Sequence, residues 1–396
     1  MKPIPRTVII LGVVSLFTDF SSEMIYPLLP VFLANVLGVG ALALGIIEGI
    51  AEATASLLKV FSGVWTDKTR RRKPLIVAGY GLAGLARPLI GLAGSWITVL
   101  ALRFTDRIGK GLRTSPRDAL IADVTTPEQR GASYGLHRSM DHAGAVIGPL
   151  AAAALLSFAG VSLRQLFVLA AVPALLSFLV LVIGVKEPVT SKPGATAQSF
   201  DWLQGWSKLG GDFKWLLAAV FLFTLGNSTD AFLLLRLTEA GVPVTWVAVI
   251  WSLHHVVKMV STYYGGRFSD KRGHRSQLIL GWAVYALIYL AFSSIQSPGG
   301  LIAVFIVYGL YFGFVEPSER ALVAELAPEH IRGTAFGYFH LVIGVGALPA
   351  SLLFGFIWQT WGAPAAFITG AVLALLASAT LALTHVSKTP AGKDGL

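Results

Sequence analysis

Asp19 and Glu23 stand four residues apart in an otherwise apolar stretch of the chain. On a helix that spacing puts both carboxylates on one face. A carboxylate taken out of water holds a proton more readily, and an acid inside a bilayer is by default part of a proton or ion pathway. Asp230 adds a third acid of this kind, because the phrase LFTDFSSEMIY around Glu23 returns as LFTLGNSTDAF around Asp230. Asp19, Glu23 and Asp230 are therefore the candidate proton carriers. The competing reading for each is a permanent ion pair with Arg138, Arg236 or Lys258. Glu48 and Glu52 repeat the four-residue spacing in the next apolar stretch and rank second.

Arg103, Asp106, Arg107 and Lys110 crowd a single apolar stretch. Each such charge costs roughly 2.5–3.5 kcal/mol at a bilayer centre, so these side chains must face the protein interior, pair, or line water. An opposite charge nearby favours ionisation, which makes Arg107 the candidate for tuning a neighbouring carboxylate. With Arg138 and Lys258 it is expected to line a substrate cavity. Tyr26, Asn227, Tyr308 and Tyr311 would bring aromatic and hydrogen-bonding surface to that cavity, and His255 a proton or substrate contact. His255 and Met259 also share a helical face, an arrangement suited to a soft metal such as Cu(I). Four Met, no Cys and the adjacent Lys258 argue against it, so no metal site is assigned and no cofactor is expected.

The elements that must carry these residues follow from composition. Hydrophobic residues are 55% of the chain and charged ones 13%, and mean hydropathy is +0.70. Soluble domains carry about 25% charged residues, so this chain is built for lipid. Apolar runs of about 20 residues, the length that crosses a bilayer as a helix, recur about twelve times. Helices are the expected form, because backbone in lipid must satisfy its own hydrogen bonds. The first run carries no secretory cleavage site and is expected to be retained. Lys and Arg gather in alternate loops: Lys68 to Lys73, Arg130, Lys186 to Lys214, Lys271 to Arg275, Arg332, and Lys388 with Lys393 in the tail. The net charge of +10 is thus read as cytoplasmic loops and not as nucleic-acid binding, with both termini cytoplasmic. Residues 186–213 form a linker between residues 1–185 and 214–396. It opens with the polar run EPVTSKPGATAQS and closes with Phe200, Leu203, Trp206 and Leu209 at the spacing of a short surface helix.

Two phrases repeat at the basic loops. GVWTDKTRRRK contains Asp67, GGRFSDKRGHR contains Asp270, and ALIADVTTPEQRG returns as ALVAELAPEHIRG. Gly63, Asp67, Arg71 and Arg72 resemble the signature turn of the major facilitator superfamily, with Arg70 where that family usually has Gly. The second copy keeps Gly266, Asp270, Gly273 and Arg275. The resemblance covers the whole chain. It implies an all-α polytopic membrane protein of twelve transmembrane helices, arranged as two pseudo-symmetric six-helix bundles with a site near the midplane. It also implies that the signature Asp caps neighbouring helix ends at the cytoplasmic side and stabilises an outward-open form. Arg117-Asp118 and Glu319-Arg320 occupy equivalent places with inverted charge order, so each acid is expected to face the base of the other half in a cytoplasmic gate.

Gly135, Gly144, Gly148 and Pro149 follow the spacing Gly-x8-Gly-x3-Gly-Pro, which resembles the antiporter motif of proton-coupled drug exporters in that superfamily. Small residues let helix backbones approach, and Pro permits a bend. No nucleophile elbow or phosphate-binding loop is present, so the chain does not read as an enzyme and energy must come from a gradient. The leading expectation is a secondary transporter of the inner membrane that exports small organic compounds in exchange for protons, working as a monomer in the lipid bilayer. The alternatives are an importer or facilitator of a polar or anionic solute, a metal-ion transporter, or a non-transporting sensor.

Overall fold

A computed structural model of the chain describes residues 3–39, 41–187, 202–227, 230–242 and 244–383. The polar opening of the linker and the basic tail, with Lys192, Lys388 and Lys393, lie outside the described residues. Every regular element within them is helical. The first half contains α1 (Arg6–Glu23), a 3-10 turn at Tyr26–Leu28, α2 (Leu29–Asn35), α3 (Ala41–Thr69), α4 (Lys73–Leu89), α5 (Trp96–Val124), α6 (Arg130–Phe158), α7 (Leu163–Leu169) and α8 (Ala171–Gly184). A short α9 (Trp202–Lys208) follows at the place expected for a surface helix. The second half contains α10 (Gly211–Gly226), α11 (Ala231–Glu239), α12 (Val244–Arg272), α13 (His274–Ser294), α14 (Pro298–Leu326), α15 (Arg332–Trp361) and α16 (Ala363–Leu383).

Among the described residues, eight helical stretches are long and apolar enough to cross a membrane. α3, α5 and α12 are as long as most of these, at 29 residues each, or about 43 Å at 1.5 Å per residue. α5 falls outside the eight on composition, since its apolar run carries Arg103, Asp106, Arg107, Lys110 and Arg113. α10 and α11 are separated by a break and are individually short.

The distribution of polarity is inverted relative to a soluble protein. Leu85, Phe158, Ile183, Leu287 and Leu348 are exposed, whereas Arg103, Asp106, Arg113, Arg117 and Asp118 are buried. An outward apolar surface of this kind suits lipid contact, and the charges face one another inside.

Helices approach closely where both partners lack a side chain. α3 meets α15 at Gly63 and Gly333, α6 meets α12 at Gly131, Gly135 and Gly266, and α12 meets α14 at Gly265 and Gly313. A Cβ on Gly63 or Gly266 would collide with the carbonyl of its partner glycine. The first two contacts join the halves. Both halves also break their leading helix at the same place. α1 ends at Glu23 and gives way to the turn at Tyr26, while α10 stops at Gly226 and α11 resumes at Ala231. Discontinuous helices at corresponding positions of two repeats are where carriers build their sites.

α9 lies against α15, where the Trp206 ring meets that of Tyr338 at 5.3 Å and Lys214 sits 5.3 Å above the Trp206 ring. Phe200 is outside the described residues.

Candidate transport cavity and its closing contacts

A cavity of about 370 Å³ opens among α1, α3, α4, α5 and α6, with Arg320 of α14 and His340 of α15 on its far side. Nine residues singled out in the sequence line it: Asp19, Glu23, Tyr26, Asp106, Arg107, Lys110 and Arg138, with Arg117 and Arg320 of the expected gate. Around Tyr26 the structure builds a fixed block of charge. The Asp106 carboxylate accepts from Arg87 Nε at 2.7 Å, from the Tyr26 hydroxyl at 2.5 Å and from Arg103 at 3.1 Å. The Arg103 guanidinium stacks over the Tyr26 ring at 3.9 Å. Arg107 lies 3.8 Å from Glu52. Among the described residues no cation comes within ion-pair distance of Asp19 or Glu23, which face the cavity from the last turns of α1.

The glycine motif explains how those acids are held. On α6, a Cβ at Gly144 would stand 3.0 Å from the Asp19 Cβ, and one at Gly148 would stand 2.8 Å from the Glu23 Cβ. The two glycines therefore seat α6 directly on the carboxylate-bearing face of α1. Gly135, the first member, faces α12 of the other half.

A second cluster joins the halves. Arg138 donates to both oxygens of Glu316 on α14, at 2.9 and 2.6 Å, and also pairs with Asp141, which accepts from Ser15. His142 Nε2 lies 3.0 Å from the same Glu316. His255 packs its ring 5.6 Å from that of His142 and 5.0 Å from that of Trp251. Among the described residues no three His, Cys, Asp or Glu side chains group as a metal site.

The other nominated residues sit in the second half. Asp230 is paired with Lys258 at 3.4 Å and accepts from the Tyr308 hydroxyl at 3.1 Å. The ion-pair reading thus describes Asp230 and not Asp19 or Glu23. Lys258 also lies 3.6 Å over the Phe312 ring. Tyr308 and Tyr311 stack in parallel at 5.6 Å, and both are buried in an aromatic cluster. Asn227, at the helix break, accepts from the Tyr285 hydroxyl at 3.2 Å.

At the end of the molecule that carries the basic turns, the two signature aspartates do the same work. Asp67 accepts from the backbone N–H groups of Gly333 at 2.9 Å and Thr334 at 2.5 Å, and from the Thr334 hydroxyl at 2.8 Å. Asp270 accepts from the N–H groups of Gly131 at 2.7 Å and Ala132 at 2.8 Å. Each carboxylate neutralises the positive N-terminus of a helix in the opposite half, α15 and α6 respectively. Arg72 bridges Asp67 at 3.1 Å and Asp123 at 2.7 Å, and Asp123 reaches Arg332 across the halves at 3.2 Å. Arg71 is exposed. Arg70 has a φ of +56°, the left-handed region that favours glycine, and Gly273 holds the corresponding place in the second copy with φ +91°.

Two gate expectations need correction. Asp118 does approach Arg320 of the other half, at 3.9 Å, and lies 2.9 Å from His340. The reciprocal contact between Arg117 and Glu319 is not formed, because Arg117 turns onto its own neighbour Asp118 at 3.0 Å. Arg275 also leaves the gate: it donates to the carbonyls of Leu381 and Ala382 and ties down the end of α16 in its own half.

Lys59, Arg87, Asp141, His142, Glu316 and His340 belong to these clusters without having been singled out. Lys59, Arg87 and Glu316 were visible as charges inside apolar runs, the same signal that picked out Arg107. Asp141, His142 and His340 had no comparable spacing.

A helical bundle of two repeats, with a charged cavity walled mainly by the first half and carboxylates capping helices across the halves at one end, has the architecture of a polytopic membrane carrier. The profile of the Major Facilitator Superfamily matches residues 11–348 and 244–395, and the chain belongs to that family. It is 32% identical over 386 residues to an uncharacterised MFS-type transporter of Methanocaldococcus jannaschii, covering 96% of this chain and 95% of that protein. The multidrug resistance protein MdtH of Sodalis glossinidius is 28% identical over 332 residues, 82% of this chain and 78% of the relative. The human organic anion transporter MFSD10 shares the fold at a TM-score of 0.81 and 18% identity, over 96% of this chain and 100% of that one.

Proposed function

We propose that the chain is a proton-coupled secondary transporter that exports small organic compounds by alternating access. The observation that carries this reading is the charged cavity, walled mainly by the first half and reached by Arg320 and His340 of the second, together with Asp67 and Asp270, which cap helices across the halves at the basic end. With that end cytoplasmic by the positive-inside rule, the conformer is closed toward the cytoplasm and both termini lie inside. α3, α5, α12 and the broken α10–α11 complete twelve spans in two six-helix bundles, so one chain supplies the whole carrier. Asp19 and Glu23, on the cavity wall with no cation at ion-pair distance among the described residues, are the proton carriers of the scheme, with Asp230 demoted by its contacts to Lys258 and Tyr308. Export, from the inner membrane, is supported by relatives named multidrug resistance proteins.

A cycle of this kind requires a solute that binds the two orientations with different affinity, since equal affinity shifts nothing. The test is an imposed pH gradient across inverted membrane vesicles with a fluorescent reporter of internal acidity. Gradient loss triggered by one compound in wild type and absent in Glu23→Gln supports the reading. Silence across a broad panel of organic compounds, with folded protein, argues against it. A second reading, inward movement or facilitated passage of an anionic solute, is favoured by the surplus of bases on the cavity wall.

A further inference from the structure

We propose that the transported solute is a small organic anion whose charged group, a carboxylate, phosphate or sulfonate, is held by Lys59, Lys110 and Arg113. This rests on the cavity being the transport path, a premise shared by the outward and inward readings.

Bases outnumber acids on the cavity wall, eight against four. Most of these bases already have a partner. Arg87 is taken by Asp106, Arg138 by Glu316 and Asp141, Arg117 and Arg320 by Asp118, and Arg107 lies beside Glu52. Lys59 of α3 and Lys110 and Arg113 of α5 are different. Among the described residues, no carboxylate oxygen lies within ion-pair distance of any of the three. Lys59 and Arg113 are only 8% and 5% exposed, and Arg113 Nη1 has no hydrogen-bond partner. The Arg113 guanidinium lies 4.4 Å over the Tyr80 ring, which fixes its plane without neutralising it.

Lys110 and Arg113 are one helical turn apart, and α3 packs tightly on α5 at Gly111, where a Cβ would meet Ala55 and Leu58. That contact brings Lys59 to the same wall. Two buried like charges and the half-buried Lys110 repel one another, and a buried charge without a partner is unfavourable unless something neutralises it. An anion entering the cavity is that partner: the guanidinium fork offers paired donors to a carboxylate or phosphate, and the two ammonium groups add point charges. The cavity, at about 370 Å³, falls within the range of small-molecule sites and leaves room for an organic body beyond the charged group. Its wall is charged nearly all round, so that body is polar.

The experiment is equilibrium binding to the purified full chain in detergent, followed by transport in proteoliposomes. The probes are glutarate, glucuronate, glycerol phosphate and benzenesulfonate, with glucose and tetraphenylphosphonium as neutral and cationic counterparts. At least one anion is expected to bind, at least tenfold more weakly in Lys59→Gln, Lys110→Gln and Arg113→Gln and more weakly in high salt. Lys59→Arg and Lys110→Arg, which keep the charge, are expected to recover binding, separating lost charge from lost fold. Binding of tetraphenylphosphonium alone, no anion binding to folded wild type, or anion affinity indifferent to the three substitutions would each overturn the proposal. Anions that bind but are not transported would sink the transport premise while leaving the anion site. Transport of the cation, insensitive to the substitutions, would do the reverse.

Discussion

Asp67 of α3 accepts a hydrogen bond from the backbone N–H of Gly333 at 2.9 Å, across the junction of the two halves, and caps α15 with a full negative charge. Asp270 repeats the arrangement on Gly131 and α6. Gly131 and Gly333 are the last residues of the phrases ALIADVTTPEQRG and ALVAELAPEHIRG, so each copy of one repeat docks on a copy of the other. The contact is therefore twofold, and in the alternating-access cycle proposed above, opening the basic end would break both caps.

Replacing either carboxylate with its amide keeps an acceptor but removes the charge that meets the helix N-terminus. Charge–dipole and charge-assisted contacts of this kind contribute about 1–2 kcal/mol, or roughly five- to thirtyfold in the balance of closed and open forms. Asp67→Asn and Asp270→Asn should each shift the carrier toward opening at the basic end. The chain has no cysteine, so Ser133→Cys, buried in α6 near the latch, gives a clean reporter. Its maleimide labelling is expected to rise in Asp270→Asn, and unchanged labelling would count against the latch.

In the same proposed cycle, closure would depend on backbone contact at the crossings. Gly63→Val and Gly266→Val place side chains against the carbonyls of Gly333 and Gly131. Transport should fall at least tenfold in each, with the Ser133→Cys reporter more accessible. Gly94→Ala is the control, since nothing stands near a Cβ there. Equal loss in all three would point to general misfolding and not to the crossings.

Arg138 and Glu316 form a partly buried pair between α6 and α14. Removing one partner of a buried pair typically costs about 3–5 kcal/mol, whereas replacing both with apolar groups is often close to neutral. Glu316→Met should lower the thermal midpoint in detergent more than the double substitution Arg138→Met with Glu316→Met. Additive losses would show that the two side chains are not coupled.

Much of this was legible in the chain. The four-residue spacing of Asp19 and Glu23 placed both on the cavity wall, and the duplicated turns located both latch carboxylates. What could not be read was which group each charge meets. The sequence contains Asp67 and Gly333 in separate repeats, but only the crossing of α3 with α15 brings them together. Arg117 and Glu319 failed to pair because Asp118, next in the chain, was nearer to Arg117. Arg275 lies in the basic turn by sequence yet reaches the end of α16. Glu316 was visible as a charge in an apolar run, but its ligation by Arg138 and His142 depends on helix rotation that composition does not encode.

The last prediction concerns the sign of coupling between protons and solute. Asp19 faces Asp141 and Arg138 of α6, Arg113 of α5, and Glu23 on its own helix. Glu23 faces Lys110 and Arg107 of α5, Arg87 of α4 and Lys258 of α12. A proton on either acid removes a negative charge that offsets these bases, so the cavity becomes more positive and holds an anion more tightly. Anion affinity should therefore rise as pH falls. Glu23→Gln and Asp19→Asn, which fix the neutral form, should bind the anion at least as tightly as wild type at low pH and show a flatter dependence on pH. The outward exchange proposed above requires the opposite slope in apparent affinity, because proton and solute then compete for one carrier. The charges by themselves thus favour the second, inward reading, and the measured slope decides between the two. Affinity that rises with acidity would assign the cavity to joint movement of proton and anion and favour the inward reading. Affinity that falls with acidity, and is made independent of pH by Glu23→Gln, would instead support exchange.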